Sequence, residues 1–197
     1  MRTQEITIYK YSELSDKAKT RAKDYFIENW LEPDEWANLD FHKQELEEKG
    51  FSDPQIFYSG FCSQGDGASF TCKSIDLELF MKTYNMNSKT DKMLLQAYKK
   101  GWIDGIKVSR IIASRYYHEQ TMQIEWNFYL NSEKPPYRIE TAMENLELAI
   151  LEIAQDEARA IYKNLEENYE YHCSDEYISS VYDDNDIEFT EDGKIFK

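Results

Sequence analysis

Three histidines, three cysteines and one glycine-rich segment are where catalysis or ligand binding would first be sought in this chain of 197 residues. Zinc hydrolases usually place two histidines at i, i+4 or gather three ligands, and His42, His118 and His172 have no such spacing. His42 shares a helical face with Glu45 and Leu46, three and four positions on, and reads as a residue at the edge of the core. His118 falls in a turn. His172 stands beside Cys173 and would suit a base for a thiol nucleophile, yet adjacent residues seldom aim at one another. Cys62, Cys72 and Cys173 are an odd set without a CxxC pair, so neither a disulfide framework nor a structural zinc is expected. In a reducing cytosol they remain thiols. No GxSxG, SxxK or HExxH segment is present. No cofactor and no metal are expected, and the residues point to binding rather than catalysis.

The glycine-rich segment is QIFYSGFCSQGDGASFTC, residues 55–72, which holds Gly60, Gly65 and Gly67, three of only seven glycines. A phosphate cradle needs backbone N–H groups at a strand–loop–helix junction, with a lysine or a helix dipole close by. SQGDGASF has no lysine, puts Asp66 at its centre and leads into a strand. A calcium loop needs several carboxylates, and only Asp66 is there. What remains is a hairpin with a positive-φ turn or bulge, in which Ser63 and Asp66 satisfy local backbone groups. Ser63, Gln64, Asp66 and Phe70 are then a loop tip that touches a partner. An enzymatic alternative would combine Asp66 with Ser63 and Glu125.

Charge is more informative. The formal net charge is −15, and residues 142–197 hold 16 acidic against 4 basic side chains, leaving −3 for the rest. A pI near 4.6 repels phosphate, so direct nucleic-acid binding is not expected of the chain as a whole. Acids interleaved with Tyr162, Tyr169, Tyr171, Tyr177 and Tyr182 instead suit a protein partner with a basic surface. The residues expected to meet it are Glu166, Glu167, Asp175, Glu176, Asp183 and Asp184, with Tyr169, Tyr171 and Tyr177 as anchors. A second alternative is a nucleic-acid-binding module on Lys89, Lys92, Lys99, Lys100 and Lys107, near Tyr98 and Trp102.

The elements that must position these residues follow from periodicity and caps. Glu5–Tyr11 alternates as a strand. Ser15 caps a helix carrying Ala18, Ala22, Tyr25, Phe26 and Trp30, and Pro33 opens a second helix with Trp36, Leu39 and Leu46 that Gly50 closes. Short helices are expected over 76–84 and 91–100. Long strands are expected over Gly105–Tyr117 and Thr121–Leu130, with Met122, Ile124, Trp126, Phe128 and Leu130 on one face, and the Lys134-Pro135-Pro136 run ends the sheet. A long helix follows over 139–168, with Ala142, Leu146, Ala149, Ile150, Ile153, Ala154, Ile161 and Leu165 in one stripe. Ser174 caps a shorter helix, and a small hairpin turns at Glu191-Asp192-Gly193. These elements define an α+β fold: an antiparallel sheet of about four strands in two hairpins, packed with helices, read as a single domain over 1–197.

No run approaches the length of a membrane span, and the N-terminus lacks the apolar stretch of a secretory signal, so a cytoplasmic location is expected. Three segments taken together are distinctive: YKYSELSDKAKTRAKDYF, YSGFCSQGDGASF and YEYHCSDEYISSVYDDNDIEFTEDGKIF. In this order, over nearly the whole chain, they resemble a widespread group of small bacteriophage proteins, some labelled antitoxin-like. Cys62 stands where that group carries a large aromatic residue, which implies altered packing of the loop. The resemblance implies an accessory protein made inside a bacterial host and carries over no catalytic residue. The expected function is to bind and inhibit a host factor, such as a toxin or a defence nuclease.

Overall fold

The computed structural model describes residues 5–111, 116–128 and 137–196. A 3₁₀ turn at Tyr11–Glu13 precedes helices α1 (Asp16–Asn29), α2 (Pro33–Ala37) and α3 (Leu39–Glu48). Strands β1 (Phe51–Ser52), β2 (Gln55–Tyr58), β3 (Ala68–Thr71) and β4 (Ser74–Ile75) come next, then helices α4 (Leu77–Thr83) and α5 (Lys89–Lys99). Strand β5 (Ile103–Arg110), a 3₁₀ turn at Glu119–Thr121 and strand β6 (Met122–Phe128) lead to helices α6 (Tyr137–His172) and α7 (Asp175–Asp184). The fold is α+β with antiparallel pairing, as the sequence leads one to expect. Its contacts cluster into two compact units, residues 1–38 with 165–197 (unit 1) and residues 39–164 (unit 2).

Unit 1 joins the two ends of the chain through an aromatic core. Ser15 Oγ accepts the Ala18 N–H and starts α1, which turns Ala18, Ala22 and Phe26 inward. Ser174 does the same for α7 by accepting from Tyr177, and that helix buries Ile178 and Tyr182. The Tyr182 ring lies 5.5 Å from Phe26, 5.3 Å from Trp30 and 4.9 Å from Phe189, each edge-on, the arrangement that ring quadrupoles favour. Its hydroxyl donates to the Ala22 carbonyl at 2.9 Å. The terminal hairpin forms around Gly193, whose φ of +78° suits glycine and where any Cβ would sit 2.2 Å from the Ala18 carbonyl oxygen.

Unit 2 holds the strands, which pair as three two-stranded antiparallel sheets rather than the one sheet of about four strands expected. Strands β2 and β3 pair with Ile56 opposite Phe70, and β5 pairs with β6 with Val108 opposite Ile124. The Cys72 N–H donates to the Val108 carbonyl at 3.0 Å, which sets the two hairpins side by side. Phe51 packs edge-on against Phe70 at 5.0 Å and Phe80 at 5.6 Å, and Ala142, Leu146, Ile150, Ala154, Ala158 and Ile161 present the buried stripe of α6.

Several expectations need correction. The Glu5–Tyr11 strand reduces to one bridge, Tyr9 to Phe189, because Ile6 and Ile8 are exposed and Tyr11 already begins a 3₁₀ turn. The helix expected from Pro33 to Gly50 is two helices, broken where Asn38 takes a left-handed conformation (φ 45°, ψ 44°). A short β1–β4 ladder, Phe51 opposite Ile75, was not foreseen. Gly60, Gly65 and Gly67 are not among the positive-φ glycines, so the expected positive-φ turn is not what they provide. Ile112, Ala113, Ser114 and Arg115 of the first long strand, Tyr129 and Leu130 of the second, and the Lys134-Pro135-Pro136 break lie outside the described residues, as does the side chain of Phe128.

Candidate functional site

The acidic residues of unit 1 divide by where the helices point them. On α7, Ile178 and Tyr182 face the core, so Glu176, Asp183 and Asp184 stand on the exposed side. Asp175 has a structural task. It accepts the Tyr11 hydroxyl at 3.2 Å and pairs with Lys23 at 3.3 Å, tying α7 to the 3₁₀ turn and to α1. Burial first, then the Asp175 charge, pushes the Tyr11 phenol well above its ordinary value. Asp183 lies 4.0 Å from Lys10, both largely exposed, a separation at which an ion pair contributes little. Glu167 is exposed and Glu166 half-buried near the end of α6. Unit 1 as a whole holds 19 acidic and 8 basic side chains, a net −11, against −4 for unit 2.

The three anchor tyrosines also diverge. Tyr169 packs against Trp36 at 5.3 Å, and Tyr177 sits between His172 at 4.3 Å and Phe26 at 6.3 Å. Tyr171 is the outward one, 56% exposed. The neighbouring His172–Cys173 pair has no nucleophilic geometry: His172 Nδ1 donates to the Asn168 carbonyl at 2.8 Å, and burial raises the Cys173 thiol.

In unit 2 the glycine-rich loop is organised by Asp66. Its Oδ2 accepts the Ser63 N–H at 2.6 Å and the Cys62 N–H at 2.9 Å, which holds its carboxyl below its ordinary value. A carboxylate engaged in this way is a poor base. Glu125 is likewise held low by Ser109 and Lys107, the latter at 2.9 Å. The hollows beside Arg21, Tyr9 and His42 are lined by residues other than Ser63, Asp66 and Glu125. Phe70, expected at the loop tip, is fully buried against Phe51, because it lies on β3 facing the core. The glycines serve close approach: a Cβ on Gly65 would strike the Tyr116 ring at 2.5 Å, and one on Gly67 would meet His118 Cβ at 2.6 Å. Ser63 and Gln64 are exposed.

The lysine region is partly spoken for. Lys99 pairs with Glu78 at 2.7 Å and Lys107 with Glu125, while Lys100 lies over the Trp102 ring at 4.7 Å; Lys89 and Lys92 are exposed.

One constellation escaped the sequence. On α3, His42 is 4% exposed, with Nε2 3.0 Å from Asn164 Oδ1 and Nδ1 3.5 Å from Glu45 Oε2. One turn on, Lys49 pairs with Glu157 of α6 at 2.6 Å, and the Tyr84 hydroxyl donates to the other Glu157 oxygen at 2.7 Å. That hydrogen bond comes second to burial in raising the Tyr84 phenol above its ordinary value. The only trace in the sequence is the spacing of His42, Glu45 and Lys49; nothing marks Glu157 or Asn164, more than a hundred positions away.

Among the described residues, no group of three or more His, Cys, Asp and Glu stands close enough to hold a metal ion, and no helix is long and apolar enough to cross a membrane. Neither a curated protein nor a solved structure matches the chain. A family model described as a domain of unknown function, DUF8835, matches residues 36–175, which takes in all of unit 2, and the chain belongs to that family.

Proposed function

We propose that this chain is a non-enzymatic bacteriophage accessory protein that acts in the cytoplasm of the bacterial host, where it binds and inhibits a host factor with a basic surface, a toxin or a defence nuclease. The observation that carries the reading is the outer side of α7, where Glu176, Asp183 and Asp184 are exposed together in a unit of net charge −11. A folded face of one sign steers an oppositely charged partner and repels like-charged competitors. Tyr171 adds an exposed aromatic ring to the same unit, the residue type enriched in interface cores. Inhibition follows if the face occupies the groove in which a basic factor holds its phosphate-bearing substrate.

The test compares two baits in a lysate of bacterial host cells: the natural chain, and a variant with Glu176, Asp183 and Asp184 changed to lysine. Asp175 is left intact because it braces the fold. A basic host protein should be retained by the natural chain, released as salt shortens the Debye length from about 10 Å toward about 3 Å, and lost with the variant. Equal recovery on both baits disposes of the reading.

A further inference from the structure

Residues 5–11 alternate like a strand, yet unit 1 pairs only one of them. Tyr9 donates its N–H to the Phe189 carbonyl and accepts the Phe189 N–H, both at 2.9 Å. On its far side the Phe189 segment is already closed: the Thr190 N–H donates to the Lys194 carbonyl at 2.9 Å, and the Phe196 N–H to the Glu188 carbonyl at 2.7 Å. In an antiparallel pair, the neighbours of a residue bonded like Tyr9 turn their own N–H and C=O to the opposite side. Lys10 uses both within the 3₁₀ turn, on the Glu13 carboxylate and the Glu13 N–H. Ile8 has no such turn. Its N–H and C=O point away from Phe189, and among the described residues nothing bonds them. Ile6 and Ile8, alternate positions of one face, are 52% and 39% exposed. An extended edge with unpaired backbone groups and apolar side chains is a template for a further strand.

We infer that the open edge at Ile8 takes up an extended segment of a protein partner as an added antiparallel strand, with apolar residues beside Ile6 and Ile8 and basic residues alternating with them. The basic character is a choice that rests on the partner proposed above. Directly paired residues share a face, so the basic positions fall on the Tyr9 side. There Glu13 and Glu191 wall a hollow of 200 Å³ beside Tyr9; both are exposed, and among the described residues neither is paired with a cationic side chain. A second copy of this chain is a poor occupant, because it would bring two units of net charge −11 edge to edge. Backbone bonds give such a complex its affinity, and the alternating side chains give it selectivity.

Amide hydrogen exchange in the full chain, followed residue by residue by NMR, tests this with a capped peptide of alternating lysine and valine as the probe. At saturation the Ile8 amide should exchange at least tenfold more slowly, while the Tyr9 amide, already bonded to Phe189, changes little. N-methylation of every valine removes the N–H groups that would face the edge and should abolish the protection; N-methylation of the lysines alone should leave it. A glutamate–valine peptide should not bind, and Glu13→Gln combined with Glu191→Gln should weaken the lysine–valine peptide several-fold. Glutamine at position 13 keeps an acceptor oxygen for the Lys10 N–H, so the turn survives. Ile8 exchange unmoved by millimolar peptide overturns the inference, as does equal protection by the valine-methylated or the glutamate peptide. So does an affinity unchanged in the double variant. The capture experiment is separate: a host protein lost with the α7 variant while Ile8 stays unmoved overturns the edge alone, and protection of Ile8 without any captured protein overturns the proposed partner alone.

Discussion

Unit 1 and unit 2 each bury polar side chains, and they settle them differently. In unit 1 the buried phenols of Tyr11 and Tyr182 both find partners, Asp175 and the Ala22 carbonyl, within a core of interlocking rings. In unit 2 the buried imidazole of His42 has one nitrogen matched and the other not, in a hollow crossed by the Lys49–Glu157–Tyr84 chain. A satisfied buried group rigidifies its surroundings, whereas an unsatisfied one costs stability and is retained where something else depends on it. The contrast is between a unit 1 whose buried Tyr11 and Tyr182 hydroxyls are matched and a unit 2 in which one nitrogen of a buried imidazole is not.

The largest expected effect breaks the frame. Tyr182→Ala removes a fully buried ring that touches Phe26, Trp30 and Phe189, and should cost about 3–5 kcal/mol, read as lost hydrogen-exchange protection along α1. The milder Tyr182→Phe, which removes one bond from a carbonyl that the α1 ladder still engages, should cost about 0.5–1.5 kcal/mol. His42→Phe in unit 2 should change stability by less than about 1 kcal/mol by denaturant titration, because it discards a group that was only half satisfied. If His42→Phe proves as costly as Tyr182→Ala, the distinction between the two units collapses.

Glycine substitutions sharpen the contrast at the next level. Gly193→Ala collides with the Ala18 carbonyl at a positive φ and should destabilise unit 1 by several kcal/mol, about the size of a severe backbone lesion. In unit 2, Gly65→Ala and Gly67→Ala should act locally, moving the Tyr116 and His118 resonances. Gly60→Ala, whose nearest neighbour is the Asp66 side chain at 3.5 Å, should be almost silent.

A smaller effect is expected with pH. Ser63 first and Cys62 second donate N–H bonds that lower the folded-state value of Asp66 below its ordinary 3.8. Its hold on the loop is therefore complete above that ordinary value and is lost as pH falls through the lower folded-state one. The Cys62 and Ser63 amide shifts should follow that midpoint, and Asp66→Asn should abolish the dependence. Smallest of all, thiol alkylation at pH 8 should consume exposed Cys62 and spare Cys72, whose thiol burial pushes up to about 11. Reaction of Cys72 in the folded chain would mean that the β3–β5 seam opens.

Much of this was legible in advance because it is local. The caps at Ser15 and Ser174, the stripe of α6, the hairpin around Asp66 and the alternation of β6 depend on residues a few positions apart, and each appears where its pattern lies. Asn38 and Phe70 misled for the same reason: a helical pattern runs unbroken through the first, and an aromatic beside a loop reads as exposed until the facing Phe51 is known.

The sequence by itself determined the α+β class, the helix starts after Ser15 and Ser174 and the concentration of charge toward one end, since propensity, capping and net charge need no knowledge of distant neighbours. Tertiary structure alone decided that Asp175 braces unit 1 while Glu176 faces outward, and that Gly65 and Gly67 make room for Tyr116 and His118. It also decided that Lys49 reaches Glu157 rather than Glu45. Those choices depend on which side chains, remote in the chain, arrive within a few ångströms once the core has closed, and a linear pattern carries no record of that distance.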